Sequence, residues 1–311
     1  MRSTGFFLAL FASTGVAAES MPTSVTVPRS EQIDVRSKAG REYRLFIQGP
    51  QKEIPVPLGG YPVYYFTDAN ASFPMVASLA RLQQPGIGPV VLVGIGYPTD
   101  NPREISLRRA FDLTPVAVPD AMKRFQEARK ADSIRPRRDA TPKADEMKFG
   151  GQEEFFVFIE NEVKPLVEKR FKIDKTKQAL FGHSFGGLFT LHALYAHPDS
   201  FQTYIAASPS LFLNPGILAE EEKVFAAEAK SAGIKARLLV TLGELEGQSP
   251  SPLGSAPSGG DPRAALAKRL SEVGMETAYK KFEGENHGSV VPFAHMRGLR
   301  FAFESAPKSE K

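Results

Sequence analysis

The stretch Phe181-Gly182-His183-Ser184-Phe185-Gly186-Gly187 limits the fold of this chain more than any other. It lies between the apolar run Gln178-Ala179-Leu180 and the helix-like run Leu188-Phe189-Thr190-Leu191-His192-Ala193-Leu194. The pattern G-x-S-x-G carries information only in that setting, with a strand before it and a helix after it. A sharp strand-to-helix turn lifts a serine hydroxyl above the end of a sheet. The glycines let the two elements approach and let the backbone take strained dihedrals. Ser184 is therefore the candidate nucleophile.

The rest of the chain supplies a sheet for such a turn. Residues 24–50 alternate in hydrophobicity around Lys38-Ala39-Gly40, which predicts an antiparallel hairpin. Tyr61-Pro62 opens a buried strand, Val63-Tyr64-Tyr65-Phe66, that ends in the polar run Thr67-Asp68-Ala69-Asn70, and a helix is expected over about 74–82. The unbroken apolar run at 89–96 reads as a strand covered on both faces. Phe156, Ile159, Val163 and Leu166 recur at helical spacing, with Pro165 expected to bend the helix. Strands at 204–208, 236–242 and 277–282 alternate with helices at 217–232, 264–273 and 291–303. This order predicts an α/β fold: a mostly parallel central sheet with helices on both faces and an antiparallel N-terminal hairpin. No linker divides two cores, so residues 19–311 read as one domain. A proline- and charge-rich insertion at about 113–150, with at most one short helix near 119–130, and a Ser/Pro/Gly loop at 248–262 interrupt it.

The first 18 residues resemble a secretory signal peptide. Arg2 gives a basic start, residues 5–12 an apolar core too short to span a bilayer, and Val16-Ala17-Ala18 a cleavage site after Ala18. The expected product is a periplasmic protein without stable membrane insertion after cleavage. The chain has no cysteine, which excludes disulfides and thiolate chemistry. Its net charge of +4 is a mild surplus, and no basic run is interleaved with aromatics, so nucleic acid is not an expected partner. Nothing in the sequence selects an oligomeric state.

A serine hydroxyl needs a base, and the chain offers five histidines. His183 adjoins Ser184 on the turn, where its side chain diverges; His192 lies on the following helix and His197 at its C-terminal end, where a structural role suits the helix dipole. His295 falls inside the last helix. His287 instead follows the last strand in the glycine-bounded loop Glu283-Gly284-Glu285-Asn286-His287-Gly288-Ser289, at the sheet edge where sites in such folds lie. It also completes the chain order serine, acid, histidine of an α/β-hydrolase. The acid belongs after the strand ending at Leu242, where both Glu244 and Glu246 are available to orient the imidazole; otherwise both are solvated loop charges and Ser184 and His287 act as a dyad. Oxyanion stabilisation needs two N–H donors. The backbone of Phe185 supplies one, and the loop after the Val63 strand the other, at Asn70.

These segments resemble a family of esterases of the α/β-hydrolase fold that includes the enterobactin and salmochelin (trilactone siderophore) esterases. The likeness runs over residues 61–70, Gly94-Ile95-Gly96-Tyr97-Pro98, Arg108-Arg109-Ala110-Phe111-Asp112-Leu113-Thr114-Pro115, 182–187, Ser208-Pro209-Ser210, Gly243-Glu244-Leu245-Glu246 and His287-Gly288-Ser289-Val290. The resemblance gives Ser184 and His287 the catalytic roles and favours Glu246 as the acid. Two departures bear on substrate: Ala69 replaces the glycine of the D-G-N loop, and Phe212, a candidate wall of the substrate pocket, stands where relatives carry tryptophan.

The resemblance implies an exported serine esterase that cleaves a trilactone siderophore through an acyl-enzyme, without a metal or other cofactor. Iron would arrive only with a ferric-siderophore substrate. Arg108 and Arg109 either contact that anionic substrate or form a buried pair with Asp112. The insertion's basic residues (Lys123, Arg124, Arg129, Lys130, Arg135, Arg137, Arg138, Lys143) are largely offset by Asp132, Asp139, Asp145 and Glu146. Alternatives are a general carboxylesterase or S-formylglutathione hydrolase-like enzyme acting on small esters or formyl thioesters, and a non-catalytic hydrolase-like binding protein.

Overall fold

The structure, a computed structural model, describes residues 24–51, 53–118, 146–247 and 260–304. The expected leader at 1–18, the one short helix expected near 119–130 and most of the loop expected at 248–262 lie outside the described residues.

Eight strands form one sheet in the order β1-β2-β4-β3-β5-β6-β7-β8. Strands β1 (Ser30–Arg36) and β2 (Glu42–Gln48) make the expected hairpin, which joins the sheet by antiparallel pairing of β2 with β4 (Val91–Gly96). Pairings from β4 onward are parallel: β3 (Tyr61–Phe66), β5 (Ile173–His183), β6 (Thr203–Ala207), β7 (Arg237–Gly243) and β8 (Glu276–Phe282). The near-continuous burial of β4, β6 and β7 explains their unbroken apolar sequences, since side chains on both faces meet core. One core cluster gathers Leu45, Tyr65, Phe155, Phe189 and Leu238; the other, across the sheet, gathers Phe66, Phe73, Phe181, Ile205 and Leu299.

Three helices position the site. Helix α1 spans Ala69–Ile87, beginning five residues before the expected start. Pro74, read from the sequence as a first-turn residue, instead sits inside the second turn, because Asp68 takes the cap position with φ of 59°. Asn70 thus belongs to a helix N-terminus. Helix α2 spans Pro102–Asp112, where the sequence reading had no helix. Its apolar periodicity is weak, but its caps are standard: Asn101 accepts from the backbone N–H of Arg103 and Glu104, with Pro102 at the first position. The expected helix around Pro165 is divided into α3 (Gln152–Phe158), a π turn (Ile159–Val163) and α4 (Lys164–Glu168), so the irregular turn lies just before the proline. Helices α5 (Phe185–Ala196), α6 (Pro215–Ala232), α7 (Pro262–Glu272) and α8 (Val290–Phe303) follow as predicted within a few residues.

The described ends of the insertion converge beside the Ser184 turn. Gly150 N–H donates to the Thr114 carbonyl, Val118 N–H to the Leu213 carbonyl, and the Phe149 ring meets Phe185 edge-on at 6.4 Å.

Candidate active site

Ser184 caps α5 with φ of 61° and ψ of −114°. This backbone is costly for a residue with a Cβ, roughly 1–3 kcal/mol, and it persists because neighbours fix it from both sides. Ser184 N–H donates to the Ala207 carbonyl at 2.9 Å, and its own carbonyl accepts from Leu188 at 3.1 Å and Ser210 at 3.2 Å. The flanking glycines are steric requirements. A Cβ on Gly182 would run into the Gly186 carbonyl, and one on Gly186 into the Thr67 hydroxyl.

His287 projects from the loop between β8 and α8, and its Nδ1 lies 2.8 Å from Glu246 Oε2. Glu246 is the buried partner, its side chain 4% exposed against 39% for His287. Its other oxygen accepts from Ser208 Oγ at 2.6 Å and from Gly243 N–H at 2.7 Å. Burial alone would raise the Glu246 carboxyl, but the His287 contact and these hydrogen bonds outweigh it and hold the group below the usual carboxylate range. Glu244 turns away, accepting from Gly284 N–H at 3.0 Å. Ser184, His287, Asn70, Arg109 and His183 all line one cavity of about 590 Å³, which is within the range of small-molecule sites. In this structure the Ser184 hydroxyl is hydrogen-bonded to Ser210 Oγ at 3.3 Å.

Two helix N-termini face the cavity, that of α5 with Phe185 at its first position and that of α1 with Asn70 at its second. First-turn N–H groups have no intrahelical acceptor. Asp68 does not cap α1 with its side chain, because that carboxylate is held by Arg109 Nε and a second guanidinium nitrogen at 2.7 and 2.9 Å. The Asn70 side chain is committed elsewhere, donating to the Tyr97 and Thr99 carbonyls and accepting from Tyr97 N–H, so it anchors the loop before α2.

Neither arginine forms the expected pair with Asp112. Arg109 pairs with Asp68, at the cavity wall, and lies over the Phe185 ring. Arg108 instead pairs with Glu104 one helical turn away, donates to the Glu42 carbonyl and does not line the cavity. Asp112 pairs with neither, because its carboxylate turns inward, where Tyr43 Oη donates to it and burial pushes it up to about 6. Phe212 packs against the core rather than lining this cavity. His197 is bound to Glu153 and stacked on Phe156, and His192 lies between Glu153 and Glu221.

Sequence reasoning gave no role to His183, Asp68, Ser208 or Ser210. His183 is closer to the base than its diverging side chain implied. Its ring lies 4.6 Å from that of His287, and burial, with the neighbouring His287 charge, holds it down at about 3, so it stays neutral. The available signal was positional, since all four lie at the carboxyl ends of strands β3, β5 and β6.

Arg109→Met would leave Asp68 unpaired at the α1 N-terminus. The expected result is a loss of roughly 2 kcal/mol in chemical denaturation, less than for a fully buried pair because a fifth of each side chain is exposed. A fall in kcat larger than the change in KM should accompany it as the Asn70 turn loosens; unchanged stability and kcat would show the clamp to be dispensable.

Sheet order, strand–serine–helix turn and the histidine–carboxylate pair beside it define a serine ester hydrolase of the α/β-hydrolase fold. The chain belongs to the family described as "Putative esterase", which matches residues 37–287. Ferri-bacillibactin esterase BesA of Bacillus subtilis (strain 168) is 36% identical over 286 residues, covering 89% of this chain and 90% of that protein. Among solved structures, BES protein from Bacillus cereus is 32% identical with a TM-score of 0.73, covering 92% of this chain and all of that one. The enterobactin hydrolase IroE in complex with DFP is 25% identical with a TM-score of 0.62, covering 87% of this chain and 93% of that one.

Proposed function

We propose that this esterase opens the ester bonds of a trilactone siderophore through an acyl-enzyme on Ser184. His287 Nε2 takes the Ser184 proton as Oγ attacks the ester carbonyl carbon, and Glu246 stabilises the resulting imidazolium. The backbone N–H groups of Phe185 and Asn70 receive the charge that develops on the carbonyl oxygen. Collapse breaks the ester C–O bond, and the imidazolium returns its proton to the departing alkoxide. Water, deprotonated by His287, then attacks the acyl carbon; collapse breaks the acyl–Oγ bond, and the imidazolium returns the proton to Ser184 Oγ as the acid leaves. The observation that carries this reading is the Ser184 turn sharing one cavity with Asn70 and the Glu246-bound His287.

The siderophore assignment is supported by the relatives, named for ferri-bacillibactin and enterobactin. Arg109 contributes to the site by shaping the Asp68 turn, and its charge is matched there by Asp68. The reading extends to an exported, periplasmic enzyme cleaved after Ala18. A mature N-terminus at Glu19 in mass spectrometry is the expected result, and an intact Met1 on membrane-bound protein would contradict it.

Chromatography of products from iron-free and iron-loaded enterobactin, beside a nitrophenyl ester, tests the substrate. The expected result is ring opening to linear trimer and smaller acids. Hydrolysis of the nitrophenyl ester with both siderophores intact would leave a general carboxylesterase; no turnover of any substrate would leave a binding protein.

A further inference from the structure

We propose that Ser208 is a positioning residue that holds the Glu246 carboxylate in register with His287, an inference that rests on reading Glu246 as the acid of the site. A glutamate has one more rotatable bond than an aspartate, so it loses more rotamer freedom when fixed and has more ways to miss its partner. Here Oε1 is held by two donors, the Ser208 hydroxyl and the Gly243 N–H, which leaves Oε2 alone to meet His287 Nδ1. The Ser208 bond is short, 2.6 Å, and charge-assisted, and Ser208 is 1% exposed.

The backbone at Ser208 points the same way. Its φ is 45°, a left-handed conformation uncommon for a residue with a Cβ, and Pro209 follows directly, which restricts it further. Such strain persists where surrounding contacts over-determine it and clusters at functional sites. Ser208 N–H is tied to the Thr241 carbonyl in β7, the strand that leads to Glu246, while two residues on Ser210 contacts Ser184 through both its N–H and its hydroxyl. The segment 208–210 thus links the acid to the nucleophile along the carboxyl edge of the sheet.

During turnover the imidazolium of His287 faces a carboxylate that must remain ionised. With two donors on Oε1, the negative charge is stabilised without a proton passing from Nδ1 to Oε2. Removing the hydroxyl leaves one donor and frees the carboxylate to rotate.

Ser208→Gly removes the whole side chain, Cβ included, and suits the positive φ, whereas Ser208→Ala removes the hydroxyl alone and keeps the backbone strain, so the pair separates the hydroxyl from the backbone. The expected result is a fall in kcat of about tenfold with KM within twofold, and an acid limb of the kcat/KM profile displaced to lower pH, because a freed carboxylate stabilises the imidazolium less. Ser208→Ala, measured in parallel, should behave alike and serves if the glycine variant is poorly folded. In a Glu246→Ala background, Ser208→Gly should cost less than a further twofold, because the group it positions is gone. Wild-type kcat and pH profile in both Ser208 variants, with Glu246→Ala impaired, would overturn the inference while leaving the acid in place. An equal loss in both backgrounds would also overturn it, as the sign of a structural role. Full activity of Glu246→Ala would remove the acid reading itself, and the inference with it.

Discussion

Ser184→Ala should lower kcat for any ester substrate by roughly 10⁴- to 10⁶-fold, and His287→Ala by a similar factor, with the double variant no worse than either. The non-additivity follows from the chemistry, since the imidazole has no proton to take once the hydroxyl is gone, and the hydroxyl stays a weak nucleophile without the base. The turn adds a second readout. Because Ser184 is held at φ of 61° and ψ of −114°, alanine keeps the strain and glycine releases it. Ser184→Gly should therefore be as inactive as Ser184→Ala yet more stable than it, by about 1 kcal/mol in denaturant titration. Residual kcat within tenfold of wild type in Ser184→Ala would show that another group attacks the ester.

The second large effect separates two neighbouring glutamates. Glu246→Gln should reduce kcat by roughly 10³-fold, because an amide facing Nδ1 favours the wrong tautomer and cannot balance the imidazolium. Glu244→Gln should stay within twofold, since Glu244 accepts from Gly284 N–H and faces away from His287. The pH dependence of stability has a definite sign. Glu246 is held below the ordinary carboxyl value in the folded state; its contribution is full above the unfolded value and is lost as pH falls through the folded one. Thermal scans of wild type and Glu246→Gln should therefore differ at neutral pH and begin to converge only as pH falls below the ordinary carboxyl value. Equal activities for the two glutamine variants would mean that neither carboxylate orients the base.

The sheet was legible because β4, β6 and β7 carry continuous apolar runs and the first hairpin alternates, so period and burial agree. The Ser184 turn was legible because its steric demands are local, as at Gly182 and Gly186. Helix α2 escaped because it packs only part of one face and its sequence is rich in charge; the Asn101-Pro102 start was the signal. The partners of Arg108 and Arg109 escaped for a different reason. Nearness in sequence suggested Asp112, but α2 turns that carboxylate toward Tyr43 while Arg109 reaches Asp68 across the cavity wall. Ser208 and Ser210 were visible as a motif, yet their partners lie 38 and 26 residues away, a separation only the folded sheet closes.

The most direct test of the account is covalent labelling of the intact protein with a fluorophosphonate at neutral pH, followed by peptide mass spectrometry. One adduct per chain is expected, located on Ser184, with labelling slowed sharply in His287→Ala. Absence of label on Ser184 in folded protein, or a label carried by a different serine, would contradict it.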